Sequence, residues 1–280
     1  MKTFFKSIAL LAVTLWLAAV VAGCGQSSSQ SQGGRQTSDK GQSPAKPKYV
    51  VATEASFAPF EFRDDKTGQY VGFDIELMQA LAEAQGFEVE FKDMGFDGII
   101  AAVKTGNVDM AISAISIDED RKQQVDFSLP YYQSGLSVAV RADNNTIKGF
   151  SDLKGKKIAV QIGTTGAKYV KNNIEGAKVT EYNTVNDAFL ELINGGVDAF
   201  VNDYPVSAYF IKQGNNKVKI VGDLANSEFY GIAIPKGKTE LLQKINDGLK
   251  KLKENGKYAQ IYRQWFGGDP PAFLPGEPQK

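Results

Sequence analysis

From Tyr49 onward the sequence alternates strand-like and helix-like segments, and it does so in two successive series, which restricts the chain to an α/β architecture of two similar halves. In the first series strands are expected over 49–53, 88–92 and 109–113, with helices over 74–85 and 97–104. Within the first helix Ile75, Met78, Leu81 and Ala82 fall on one face, Asp74 stands where a cap begins and Gly86 where a left-handed residue ends it. After a strand-like run at 136–141, the second series places strands over 157–161, 178–181 and 198–202 and helices over 166–173 and 185–194. Two βαβαβ halves carry ligand-binding loops at their strand carboxyl ends, so two facing lobes enclose a cleft. Helices over 240–255 and 258–266 fit either lobe by pattern alone.

Composition narrows the chemistry of that cleft. The 280 residues include no histidine and one cysteine, which removes Ser-His-Asp and Cys-His triads, His/Cys zinc sites and any internal disulfide. No metal and no cofactor is expected. Lys+Arg and Asp+Glu balance at 32 each, so there is no basic surplus with which to bind a nucleic acid.

The N-terminus reads as an address. Lys2 and Lys6 precede an apolar run from Ile8 to Ala22, which is shorter than the roughly 20 residues a spanning helix needs. Val21-Ala22-Gly23-Cys24 resembles the lipobox of bacterial lipoproteins, which implies cleavage of residues 1–23 and lipidation of Cys24 on the outer face of the membrane. Residues 24–47, dominated by Ser, Gln and Gly, cannot bury enough apolar surface to order and are expected to be a flexible tether. Residues 269–280 are expected to form a short irregular tail.

Several motifs carry a resemblance that covers about 49–268. They are Ala52-Thr53-Glu54-Ala55-Ser56-Phe57-Ala58-Pro59-Phe60-Glu61-Phe62, Tyr70-Val71-Gly72-Phe73-Asp74, Asp118-Glu119-Asp120-Arg121-Lys122, Asp126-Phe127-Ser128, Gly163-Thr164-Thr165-Gly166 and Gly195-Gly196-Val197-Asp198-Ala199. In this order they look like the family 3 solute-binding proteins, the polar amino-acid-binding components of ABC importers, and most like the glutamine-binding subgroup. The resemblance implies two Rossmann-like βαβ lobes joined by a two-strand hinge, the type II periplasmic-binding-protein plan. The lobes would be 48–133 plus 230–268, and 138–226, with hinge strands near 132–138 and 228–232. Closure by hinge bending around one amino acid is implied as well.

Every amino acid presents a carboxylate and an ammonium, so its pocket needs an anion site and a cation site. Arg121 carries a planar fork suited to the carboxylate, and the resemblance gives it that role; alone, it would more often pair with Asp118 on an exposed helix. Similarity also assigns contacts to Ser116, whose plainer role is an N-cap, to the Ala114 carbonyl, and to Thr164 and Thr165 at a helix start, where anions are favoured. Asp203 at a strand end would take the ammonium, and Phe57 and Phe96 would sandwich the ligand side chain. Both phenylalanines sit in Gly- or Pro-containing loops, poor addresses for core residues.

Glu54, Gln161 and Asn202 form the expected specificity wall. At similar positions the family's glutamine binder has Asp, Lys and His, and it has glycines where this chain has Ala114 and Thr165. Gln161 in place of a lysine removes a cation that would repel a basic ligand, which raises arginine or lysine. The motifs Phe60-Glu61-Phe62 and Tyr131-Tyr132-Gln133-Ser134-Gly135-Leu136 look most like the glutamine branch, and glutamine is the first expectation. The implied partners are an amino acid and a permease, with the protein acting as a monomer. An enzyme on the same fold would have only Glu54 and Asp203 as acid and base, and both have a better-defined task as ligand acceptors. A receptor or channel sensor is set aside because no apolar run able to span a bilayer follows Phe266.

Overall fold

The computed structural model describes residues 46–278. The expectations for the leader 1–23, for Cys24 and for nearly all of the tether lie outside the described residues.

The first half runs through β1 (Lys48–Thr53), β2 (Ser56–Phe57), β3 (Glu61–Arg63), β4 (Tyr70–Val71), α1 (Phe73–Gln85), β5 (Glu88–Asp93), α2 (Phe96–Lys104), β6 (Met110–Ala111), α3 (Glu119–Lys122) and β7 (Val125–Phe127). The second half begins with β8 (Tyr132–Arg141) and continues through β9 (Lys157–Gln161), α4 (Thr165–Asn173), β10 (Lys178–Tyr182), α5 (Val185–Asn194), β11 (Ala199–Asp203), α6 (Tyr204–Lys212) and β12 (Val218–Tyr230). The chain then adds β13 (Ala233–Pro235), α7 (Thr239–Glu254) and α8 (Lys257–Phe266).

Two five-stranded sheets result, with strand orders β5-β1-β6-β13-β7 and β10-β9-β11-β8-β12. The βαβ connections make β1 parallel to β5 and β6, and β9 parallel to β10 and β11. Because β13 enters the first sheet antiparallel, between β6 and β7, the chain leaves the first lobe, builds the second and returns. The protein is thus an α/β fold of two lobes. Helices α7 and α8 pack on α1, which places them on the first lobe, a choice their periodicity left open.

Strands β8 and β12 carry the chain between the lobes as an antiparallel pair running from Arg141 opposite Val218 to Tyr132 opposite Tyr230. Both are longer than the hinge segments expected at 132–138 and 228–232, and Gly231 and Ile232 lie past the end of β12. Their first-lobe ends are clamped by aromatic packing: Phe60 meets the rings of Tyr132 at 4.8 Å and Tyr230 at 5.3 Å, both edge-on, and the two tyrosines stack at 5.5 Å. Such pairs contribute about 0.5–1.5 kcal/mol each beyond burial. From Gly267 to Pro278 there is no helix or strand, but Leu274 is buried and the Gly276 N–H donates to the Pro130 carbonyl at 2.9 Å.

Three local expectations change. The strand at 109–113 is reduced to Met110–Ala111. Gly86 does close α1 in the left-handed conformation, whereas Asp74 does not cap it. The helix starts one residue earlier, after Gly72, at φ 130°, where a Cβ would lie 2.1 Å from the Phe60 carbonyl oxygen. Asp74 is thereby turned into the interior, where Ala114 N–H and Tyr131 Oη donate to its Oδ2 at 2.8 and 2.7 Å. Phe96 is likewise the first residue of α2 rather than part of a turn.

Candidate functional site

The first lobe contributes Glu54 just beyond β1, Phe57 on β2, Phe96, Ala114, Ser116 and Arg121; the second contributes Gln161 at the end of β9, Thr164 and Thr165 at the start of α4, and Asn202 and Asp203 at the end of β11. All but the two phenylalanines and the α3 arginine stand at or just after strand carboxyl ends, as a doubly wound sheet dictates.

Arg121 is only 7% exposed, so the reading of it as a surface partner of Asp118 does not hold. Asp118 caps α3, its Oδ1 accepting the Arg121 N–H at 2.8 Å, and this, rather than Ser116, starts the helix. The guanidinium crosses the cleft: Nη1 donates to the Ser116 carbonyl at 2.8 Å and Nη2 to the Gly163 carbonyl of the second lobe at 3.1 Å, while Cζ lies 5.3 Å from the centre of the Phe96 ring. Burial lowers its pKa, opposed by the negative charges of Asp118, Glu228 and Asp203. Two cavities of about 410 Å³ each share Asp118, Thr165 and Lys168 in their walls, one reaching Phe96 and Arg121, the other Ser116 and Glu228. Gly163, at φ 77°, permits the approach, since a Cβ there would lie 2.9 Å from Asp97 Cα.

On the specificity wall, Glu54 is buried and its carboxylate accepts from Ser56 Oγ at 2.6 Å and from Gln161 Nε2 at 3.2 Å. Burial raises its pKa and those two hydrogen bonds oppose the rise. Gln161 also donates to the Asn183 carbonyl at 3.1 Å, which leaves its Oε1 buried with no donor. Asn202 Nδ2 and Asp203 Oδ1 are likewise buried without partners in the protein. Although Asp203 precedes α6, its side chain makes no capping bond. Burial first, and then the negative charge of Glu228, push its carboxyl up to about 8. Unpaired buried polar atoms are expensive, and each of these three has hydrogen-bonding capacity that the protein leaves unused.

Two expected residues also serve the fold. Thr164 uses its hydroxyl to cap α4, accepting from Ala167 N–H at 3.1 Å while donating to the Gln161 carbonyl at 2.7 Å. Phe57 is 5% exposed and joins the main hydrophobic cluster, contrary to its loop-like sequence setting; the half-buried Phe96 keeps a face toward Arg121. Ala114 is buried with its backbone at φ 45°.

One residue of the cleft was not singled out by sequence. Glu228, on β12 and 8% exposed, accepts at Oε2 from Ser116 Oγ at 2.5 Å and from Thr165 Oγ1 at 2.7 Å, joining hydroxyls of both lobes. In the sequence it marked only the start of an expected hinge strand. A carboxylate in an otherwise half-polar strand was the available signal.

Comparison with known proteins gives this geometry its family. The chain is 33% identical over 268 residues to the arginine-binding extracellular protein ArtP of Bacillus subtilis, covering 94% of this chain and 99% of that protein. It is 32% identical over 221 residues to the L-cystine-binding protein TcyJ of Escherichia coli K12, covering 79% and 83%. Among solved structures, an ancestral arginine-binding protein bound to glutamine superposes with a TM-score of 0.76 at 47% identity, covering 80% of this chain and 99% of that one. The model of the bacterial extracellular solute-binding proteins, family 3, matches residues 49–268, and the chain belongs to that family.

Proposed function

We propose that the protein is the extracellular, lipid-anchored substrate-binding component of an ABC amino-acid importer, and that it captures L-arginine in the cleft between lobes 48–133 plus 230–268 and 138–226. The carrying observation is the charge of the cleft: Asp203 and Glu228 lie within electrostatic reach of the buried Arg121 guanidinium, while the buried carboxyl of Glu54 has only Ser56, Gln161 and the like-charged Asp93 as its polar neighbours. Lys168, at the rim, is engaged by Asp120. An α-carboxylate answers Arg121 and an α-ammonium answers Asp203, which leaves Glu54 desolvated and without a cation. A guanidinium side chain would supply that counter-charge and donate to Gln161 Oε1. This moves arginine ahead of glutamine, the first expectation from sequence.

Glutamine is the second reading, favoured by one atom: the unpartnered Asn202 Nδ2 is a donor that a carboxamide oxygen can use and a guanidinium cannot. Arg121, Ser116 and Thr165 would hold the carboxylate end, and Ala114 and Asp203 the ammonium. Phe96 would face the side chain. None of these contacts breaks a bond of the ligand, so the proposal is capture by a monomer and delivery to permease subunits without turnover. A thermal-shift panel of the twenty amino acids tests it, since a ligand at a hundred times its dissociation constant stabilises by about 2.7 kcal/mol. The largest shift is expected for L-arginine, with the ligand recovered unchanged. A panel with no responding amino acid would overturn the reading.

A further inference from the structure

Behind the first-lobe wall of the cleft lies a polar cluster that the proposed ligand does not touch. Glu61 and Asp74 have no solvent exposure. Glu61 Oε1 accepts from Ser113 Oγ at 2.8 Å, and that hydroxyl accepts from the Glu54 N–H at 3.0 Å. Asp74 Oδ2 accepts from the Ala114 N–H at 2.8 Å. The two remaining oxygens, Glu61 Oε2 and Asp74 Oδ1, find no other donor, and the two carboxyls are within hydrogen-bond reach of each other.

Two ionised carboxylates in so dry a contact repel, and one proton between them turns repulsion into a hydrogen bond. The titratable groups facing the pair are Glu54 on one side and Tyr131 on the other, with Tyr258 beyond, all of them acids. Burial is the largest influence on both, pushing Glu61 well above the carboxylate range and Asp74 to about 6.

We infer that Glu61 and Asp74 hold one proton in common and act as a pair of positioning residues for the pocket, fixing the backbone at Glu54 and at Ala114. The inference deepens the pocket proposed above and rests on it for its purpose. Ala114 sits at a positive φ that an alanine adopts only when its surroundings impose it, and its N–H is tied to Asp74. The Glu54 N–H is tied through Ser113 to Glu61. One pair thus orients both the carbonyl offered to an ammonium and the carboxylate offered to a side chain.

The test compares Glu61→Gln, which still donates to Asp74 but does not titrate, with Glu61→Ala, in the full-length protein. Amide hydrogen exchange without ligand is the first readout. Protection at Glu54 and Ala114 is expected to stay within about threefold of wild type in Glu61→Gln and to fall about tenfold or more in Glu61→Ala, with Val138 of the second lobe unchanged. Infrared spectroscopy is the second and does not need the alanine variant to fold: wild type minus Glu61→Gln should show a protonated-carboxyl band at neutral pH. Equal protection in all three proteins, or the absence of that band, would overturn the inference. Failure of wild type to bind L-arginine, with the exchange pattern intact, would count against the proposed function and not against the pair.

Discussion

The Glu228 carboxylate lies 2.7 Å from the Thr165 hydroxyl of the second lobe and receives the Ser116 hydroxyl of the first on the same oxygen. Each hydroxyl has a single hydrogen, so both present lone pairs rather than donors to the cleft while this contact holds. Arg121 and backbone N–H groups are then left to grip a carboxylate. Glu228→Ala should weaken amino-acid binding by about 1.5–3 kcal/mol, the usual worth of hydrogen bonds to a charged group, chiefly through faster release. Stopped-flow dissociation measures it. Tighter binding would instead mean that Glu228 occupies the place of the ligand carboxylate.

Arg121→Ala and Asp203→Ala should each abolish binding of every amino acid while the fold persists. Removing one partner of a buried charge pair costs about 2–5 kcal/mol, enough to turn a micromolar site into a millimolar one. Titration calorimetry checks this, and an unchanged affinity in either variant refutes the site.

Asp203 links the site to pH. Its carboxyl, raised to about 8 by burial, holds a proton that the unfolded chain has already lost. Stability from this group is therefore full below the unfolded value near 4 and declines as pH rises toward 8. Asp203→Asn should remove the decline, so that its melting temperature exceeds that of wild type at pH 8 and the gap narrows toward pH 4. A ligand ammonium reverses the preference and ionises Asp203. Binding at pH 7 should then release up to about one proton, visible as a dependence of the calorimetric heat on buffer ionisation enthalpy.

Selectivity should depend on Glu54 and Gln161. Glu54→Gln removes the counter-charge of a buried guanidinium and should cost arginine about 3–5 kcal/mol, but glutamine only about 1 kcal/mol. Gln161→Lys adds a cation to the same wall and should suppress arginine binding while leaving glutamine binding largely intact. Both ligands are to be measured on both variants. If Gln161→Lys binds arginine as wild type does, Gln161 does not face the ligand side chain.

The proposed anchor rests on Cys24. Wild type should fractionate with membranes and Cys24→Ala should not; equal partitioning would rule out the anchor.

Sequence by itself determined the two-halved α/β plan, the order of its principal strands and helices, and the motifs that bear the family likeness. These follow from periodicities of two and 3.6 residues and from glycines at helix ends, signals contained within a dozen neighbouring positions. Short pieces escaped it. Strands β7 and β13 have three residues each, too few for a pattern, and they form part of a sheet only because β13 returns from the far end of the chain. Asp74 read as a cap because a helix start displaced by one residue turns the same side chain from solvent to core. Only the tertiary structure decided which carboxylates are dry and what they face: Glu228 meets Ser116 across 112 positions, and Glu61 meets Ser113 across 52. Desolvation and charge depend on distance through space, and where the chain folds back on itself that distance is unrelated to separation along the sequence.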